Sequence, residues 1–241
     1  MATYTWKRKS LAWSVHLLTA LGATAGFMAL IAISEHDMVL AFKWIAVTLV
    51  IDGADGGLAR LVKVKDVLPQ FDGALLDNIV DYFTYVILPA YFIYEATLVP
   101  EGLIVLTAAV ITLTSAYQFS QADAKTPDFF FRGFPSYWNV AIFYLWLYPW
   151  APMVNFVILM VLAVLVFIPL KFLYPSRTRF LRPLTWTFSL LWMVSMGVIL
   201  FFYEQNLDWL RDLSLVYVAY YVLMSLYLNF RPKAARPTRT A

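Results

Sequence analysis

The chain has 241 residues, 62% of them hydrophobic and only 14% charged, with a mean hydropathy of +0.71; soluble domains are about 45–50% apolar and about 25% charged, so an ordinary soluble globule is excluded. There is no cysteine, which rules out disulfides and thiolate metal sites, and the two histidines, His16 and His36, are too few for a histidine metal cage. The net charge of +3 is mild, but its distribution is not, and no nucleic-acid partner is expected.

Apolar runs of about 17–25 residues can cross a bilayer's hydrocarbon core. Eight segments are predicted, near 11–33, 38–62, 73–98, 102–122, 136–149, 151–171, 183–203 and 211–229. The expected fold is an all-α integral membrane protein with eight transmembrane helices. It forms a single membrane-embedded domain over 1–241, with a short N-terminal segment (1–10) and a basic tail (231–241). The first segment is too long for a cleavable signal, and His16 and Thr19 fall inside it. The boundary between the fifth and sixth rests on Tyr148-Pro149-Trp150-Ala151-Pro152. Aromatics make up 18% of the chain, with nine Trp and fifteen Tyr, which suits interfacial belts and internal packing.

The charges set an orientation. Lys7, Arg8 and Lys9 precede the first segment. Arg60, Lys63 and Lys65 follow the second, and Lys125 and Arg132 follow the fourth. Lys171, Arg177, Arg179 and Arg182 follow the sixth, and Arg231, Lys233, Arg236 and Arg239 follow the eighth. Sixteen of the eighteen basic residues thus fall on one side. The opposite side carries Glu35, Asp37, Glu95, Glu101, Glu204, Asp208 and Asp212, with Lys43 and Arg211 nearby. By the positive-inside rule both termini are cytoplasmic.

Four aspartates interrupt the second and third segments: Asp52 and Asp55 in Asp52-Gly-Ala-Asp55-Gly56-Gly57-Leu-Ala59-Arg60, then Asp77 and Asp81 in Gly73-x-x-x-Asp77-x-x-x-Asp81. An Asp at the centre of a membrane helix costs roughly 2.5–3.5 kcal/mol, so four cost on the order of 10 kcal/mol unless something returns it. Residues three and four apart share a helix face. Asp52, Asp55, Gly56, Ala59 and Arg60 therefore cluster on one helix, while Gly73, Asp77 and Asp81 form a stripe on the next. Two such helices face to face make an all-oxygen, four-carboxylate site suited to Mg²⁺ or Mn²⁺. Gly56, Gly57 and Ala59 leave room for a ligand to approach the backbone, or else pack helices closely. Arg60 offers a planar fork for phosphate. A metal-dependent reaction on a phosphorylated substrate follows. The rival reading, an ion-coupled transporter, fits less well: the acids gather near one membrane face and no internal repeat is evident.

Asp52, Asp55, Gly56, Ala59, Arg60, Gly73, Asp77 and Asp81 match, position by position, the signature that this chain resembles, that of the CDP-alcohol phosphotransferases. Twelve residues separate Arg60 from Gly73, more than is common in that family. The longer spacing, together with Phe71-Asp72-Gly73, His16-Leu-Leu-Thr19, Phe131-Arg-Gly-Phe-Pro-Ser-Tyr-Trp-Asn139 and the eight-segment layout, is similar to the bacterial phosphatidylcholine synthase branch. The resemblance implies transfer of the phosphatidyl group of CDP-diacylglycerol to choline, with release of CMP, at the cytoplasmic side of a bacterial inner membrane. The alternative acceptors are those of phosphatidylserine, phosphatidylinositol or phosphatidylglycerophosphate synthesis. It implies that Asp52, Asp55 and Asp77 hold metal, that Asp81 completes a second metal site and serves as general base, and that the protein is a homodimer. Gly56, Ala59, Arg60 and Gly73 would line the CMP pocket. Thr19 either bonds its own helix or reaches the nucleotide, and His16 reads as a packed polar residue.

Choline lacks an N–H donor and is recognised by aromatic faces. Tyr82, Tyr85, Tyr117, Tyr137, Trp138 and Asn139 are the candidates by position. Arg177 and Arg179 are candidate phosphate contacts, or simply part of the positive-inside loop.

Overall fold

The computed structural model describes residues 4–178 and 180–230; the tail expected at 231–241 and residues 1–3 lie outside the described residues. Helices α1 (Trp6–Ser34) and α2 (Met38–Val62) fold back on each other through a three-residue turn, where the Asp37 carboxylate caps α2 by accepting from Leu40 N. A one-turn helix α3 (Val64–Val67) leads to α4 (Gly73–Tyr82), which continues through a π-helical turn over Phe83–Ile87 into α5 (Leu88–Glu95) as one rod. Then follow α6 (Ile104–Ser120), α7 (Trp138–Leu147), α8 (Pro152–Phe167), α9 (Arg182–Phe201) and α10 (Asp208–Phe230).

Helical rods therefore occupy each predicted segment, but among the described residues four helices are long and apolar enough to cross a membrane: Trp6–Ser34, Glu101–Ser120, Arg182–Phe201 and Asp208–Phe230. α2 has the length but carries Lys43, Asp52, Asp55 and Arg60. α7 is shorter: its ten residues rise about 15 Å, half of a roughly 30 Å core. Proline explains the early stop. Pro149 pushes Tyr148 out of helical geometry, to φ −107° and ψ 131°.

The structure is mostly helical, as an all-α membrane fold requires, and adds one small two-stranded sheet. β1 (Phe130–Arg132) and β2 (Lys171–Leu173) pair antiparallel, with Phe130 opposite Leu173 and Arg132 opposite Lys171. The predicted sixth segment ended at residue 171, but α8 stops at Phe167 and Lys171 joins the ribbon. The ribbon continues as Gly133 N donates to the Leu170 carbonyl (2.8 Å) and Phe134 N to that of Leu165 (3.0 Å). α10 clamps its outer edge: Asn229 bonds both backbone groups of Lys171, Leu173 N donates to Ser225 Oγ, and the Tyr221 hydroxyl donates to the Leu173 carbonyl. Two ion pairs, Arg132–Asp123 and Lys171–Asp128, decorate it. Burial pushes the Asp128 carboxyl up, but hydrogen bonds from Lys171 and Thr126 outweigh this and hold it below its ordinary value. This depressed carboxyl thus favours the ribbon at neutral pH, an advantage lost as pH falls through the acid range.

The main core gathers Phe42, Phe92, Trp138, Val86 and Ile142 from four helical stretches, all essentially inaccessible. Glycines seat α1 against the α4–α5 rod: a Cβ on Gly26 would meet Phe83 Cε1 at 2.8 Å, and one on Gly22 would meet Val80 Cγ1 at 3.1 Å. Gly26→Ala is therefore expected to lower stability by about 1–3 kcal/mol through overpacking, read as a lower midpoint in a detergent thermal melt.

Candidate active site

Asp52 and Asp55 lie one turn apart on α2; Asp77 and Asp81 lie one turn apart on α4. The α2–α4 connection is held from below by α3. Val64, Val67 and Leu68 pack on Ala12 and Val15 of α1, which gives the long Arg60–Gly73 connection a small core of its own. The Asp72 carboxylate caps α4 by accepting from Ala74 N and Leu75 N, which fixes where the Asp77/Asp81 stripe begins.

Asp52, Asp55 and Asp77 each place one carboxylate oxygen so that all three lie within 4.8 Å of one another. Such crowding of like charge is unfavourable by itself and suits a hard divalent cation, so the donor set fits the expected metal. Two neighbours aim these groups. The Thr19 hydroxyl of α1 donates to Asp55 Oδ2 at 2.7 Å, and the Tyr85 hydroxyl donates to Asp52 Oδ2 at 2.6 Å. Tyr85 sits in the π-helical turn, an irregularity frequent at functional sites.

Two clefts meet at this cluster. The larger, of about 630 Å³, is lined by Thr19, Asp55, Gly56, Ala59, Arg60, Gly73 and Asp77, with His16, Lys63, Lys125, Tyr174 and Arg177. A Cβ on Gly56 would meet only the Arg60 guanidinium, at 3.4 Å, and one on Gly53 would meet nothing within 4 Å. These small residues face space, not a neighbouring helix. Gly73 differs, because a Cβ there would lie 2.5 Å from His16 Cε1. The buried His16 ring, packed on Phe71 at 4.4 Å between centroids, thus accounts for that glycine. Arg177 reaches the same cleft, with its guanidinium 5.8 Å from the Phe129 ring centroid and a buried Nε that lacks a hydrogen-bond partner. Arg179 lies outside the described residues.

The smaller cleft, of about 210 Å³, is lined by Asp52, Asp77, Asp81, Tyr85, Gln118, Lys125, Phe131, Tyr137 and Tyr174 among others. Its aromatic wall is continuous, with ring centroids 5.8 Å apart for Tyr85–Tyr137, 5.9 Å for Phe131–Tyr137 and 4.4 Å for Phe131–Tyr174. The β-ribbon builds this wall, because β1 carries Phe131 and Tyr174 directly follows β2.

Of the aromatic and amide side chains singled out by position, Tyr85 and Tyr137 line this cleft. The structure does not bring the others to it. The Tyr82 hydroxyl donates to the Thr112 carbonyl, and Tyr117 is half exposed with its ring against Phe167. Trp138 is fully buried and donates to Ser115 Oγ, and Asn139 is buried with its Nδ2 unpartnered. Sequence reasoning missed Gln118, Lys125, Phe131 and Tyr174 as cleft residues. The only local signal was the Phe129-Phe130-Phe131-Arg132-Gly133 run, readable as a short strand ending at glycine.

No family model matches the chain. Among curated relatives, the phosphatidylcholine synthase of Legionella pneumophila is 47% identical over 229 residues, covering 92% of this chain and 89% of that protein. The phosphatidylcholine synthase of Legionella bozemanae is 44% identical over 218 residues, 87% of this chain and 100% of that protein. That of Pseudomonas aeruginosa is 37% identical over 223 residues, 92% and 94% respectively. On similarity of this extent the chain belongs to the phosphatidylcholine synthases.

Proposed function

We infer that this membrane protein is a phosphatidylcholine synthase that transfers the phosphatidyl group of CDP-diacylglycerol to choline and releases CMP. The observation that carries the site reading is the carboxylate cluster standing between a roomy cleft bordered by basic residues and a small aromatic one. The larger cleft suits the nucleotide and diphosphate, with Gly56 and Ala59 leaving room, Gly73 on the lining against the His16 ring, and Arg60 and Arg177 meeting phosphate. The smaller cleft suits a quaternary ammonium, with Tyr85, Tyr137, Phe131 and Tyr174 offering ring faces.

Asp52, Asp55 and Asp77 would hold a divalent cation, Mn²⁺ or Mg²⁺, with Asp81 toward a second. When bound, such ions neutralise the diphosphate and make CMP a better leaving group. The protein's own groups do the rest. Tyr85 holds Asp52 and Thr19 holds Asp55 in place. Asp81, on the choline side, takes the proton from the choline hydroxyl as its oxygen attacks the β-phosphorus. The one-sided basic loops support an eight-segment layout with both termini and the site at the cytoplasmic face of a bacterial inner membrane; the family resemblance supports a homodimer.

The test is labelled phosphatidylcholine from CDP-diacylglycerol, choline and Mn²⁺ in proteoliposomes, with a chelator and Asp81→Asn as controls. Product that vanishes in both controls supports the reading. CMP release only with another alcohol would move the acceptor, and no CMP release from folded protein would sink the enzyme. A cation on a ring face is worth about 0.5–2 kcal/mol. Tyr137→Leu is therefore expected to raise the choline KM by about 2- to 30-fold, with little change in the KM for CDP-diacylglycerol.

A further inference from the structure

Asp77, Lys125 and Tyr174 line both clefts. A phosphorus passing from nucleotide to acceptor must sit where the two clefts meet, so these residues surround the reacting centre. Lys125 is the cation among them. Sequence reading made it a loop charge, but the fold holds it in place. Lys125 bridges Phe131 in β fashion, the carbonyl of Ala124 accepts from Arg132 N at 2.9 Å, and the Lys125 ammonium lies 6.0 Å from the Tyr174 ring centroid. Its charge attracts Asp52, Asp77 and Asp81, whereas Arg60 acts on Asp55. A cation on the wall of a choline pocket repels choline. That liability disappears when a phosphate oxygen takes up the ammonium.

We propose that Lys125 is a further catalytic residue, whose ammonium donates a hydrogen bond to a non-bridging oxygen of the phosphoryl group being transferred. This inference rests on the phosphatidyl-transfer reading above. In the step, the choline oxygen bonds to the β-phosphorus and its proton passes to Asp81. The bond from the β-phosphorus to the bridging oxygen breaks, and CMP leaves with that electron pair. Lys125 stays protonated throughout. It stabilises charge that builds on the phosphoryl oxygens, and its capture by phosphate clears the aromatic pocket for choline.

Lys125→Met keeps the bulk and removes the charge; Lys125→Ala opens space for an added amine. In Mn²⁺ proteoliposomes, Lys125→Met is expected to lower kcat on the order of 10²-fold, the usual size for losing one preorganised electrostatic donor. Lys125→Arg is expected to retain more turnover than Lys125→Met. Methylammonium is expected to restore part of the Lys125→Ala turnover saturably, while leaving wild type unchanged. Rescue by a small cation is a signature that a merely structural lysine does not give. Lys125→Met turnover within about threefold of wild type would overturn the inference. So would failure of methylammonium to restore a Lys125→Ala protein that melts like wild type. If wild type itself makes no phosphatidylcholine, the function reading falls and takes this inference with it; an active wild type beside an equally active Lys125→Met removes this inference alone.

Discussion

Asp77→Asn is expected to cut phosphatidylcholine formation by at least about 10³-fold, since a metal centre supplies several kcal/mol of transition-state stabilisation. Asp77 is the aspartate that lines both clefts and shares the 4.8 Å cluster with Asp52 and Asp55. Asparagine keeps the shape and removes the charge, so the loss is not one of packing. A second readout separates metal binding from folding. Without metal, the variant is expected to melt higher than wild type, because one of three crowded carboxylates no longer repels the others. With Mn²⁺ in excess, wild type is expected to gain stability, by about 2.7 kcal/mol at a hundred times Kd, and the variant to gain little. An Asp77→Asn protein that turns over normally, or that Mn²⁺ stabilises as fully as wild type, would remove Asp77 from the metal site.

Gly133→Ala is expected to be the most damaging single-methyl change in the ribbon. Gly133 has φ +78°, and an added Cβ would lie 2.2 Å from the Val166 carbonyl oxygen and 3.1 Å from its carbon. Those are backbone atoms, which cannot swing aside as a side-chain tip can. The left-handed conformation alone costs a non-glycine residue roughly 1–2 kcal/mol, and the overlap adds about 1–3 kcal/mol. The ribbon carries Phe131 and positions Lys125 and Tyr174. Activity should therefore fall together with the melting temperature, although Gly133 itself lines neither cleft. Gly197→Ala is the control: a Cβ there meets nothing within 4 Å, and the change is expected to be neutral or mildly stabilising in a helix. Equal melting of the two variants would show that the ribbon tolerates what its geometry forbids.

Much of the site was legible because helical period turns spacing into adjacency. Residues three or four apart share a face whatever the rest of the chain does. Asp52 with Asp55, and Asp77 with Asp81, could be placed from the sequence alone, as could the exclusion of thiolate ligands. Thr19 could be narrowed to two roles, and its hydroxyl was found on Asp55. The acceptor side was less legible. Tyr82 and Tyr85 are three residues apart. Yet Tyr82 turns to the Thr112 carbonyl while Tyr85 turns to Asp52, on either side of the start of a π-helical turn that no spacing rule announced.

The sequence by itself determined the membrane class and the two aspartate stripes, since each follows from composition or from a local period. Only the tertiary structure decided that Lys125, Phe131 and Tyr174 close over those stripes. Their meeting depends on pairing between residues some forty positions apart in two loops rich in proline and aromatics. Hydrogen bonds of that range are chosen by the packing of the whole molecule, here by α10 holding β2 through Ser225 and Asn229, and leave no period in the chain to read.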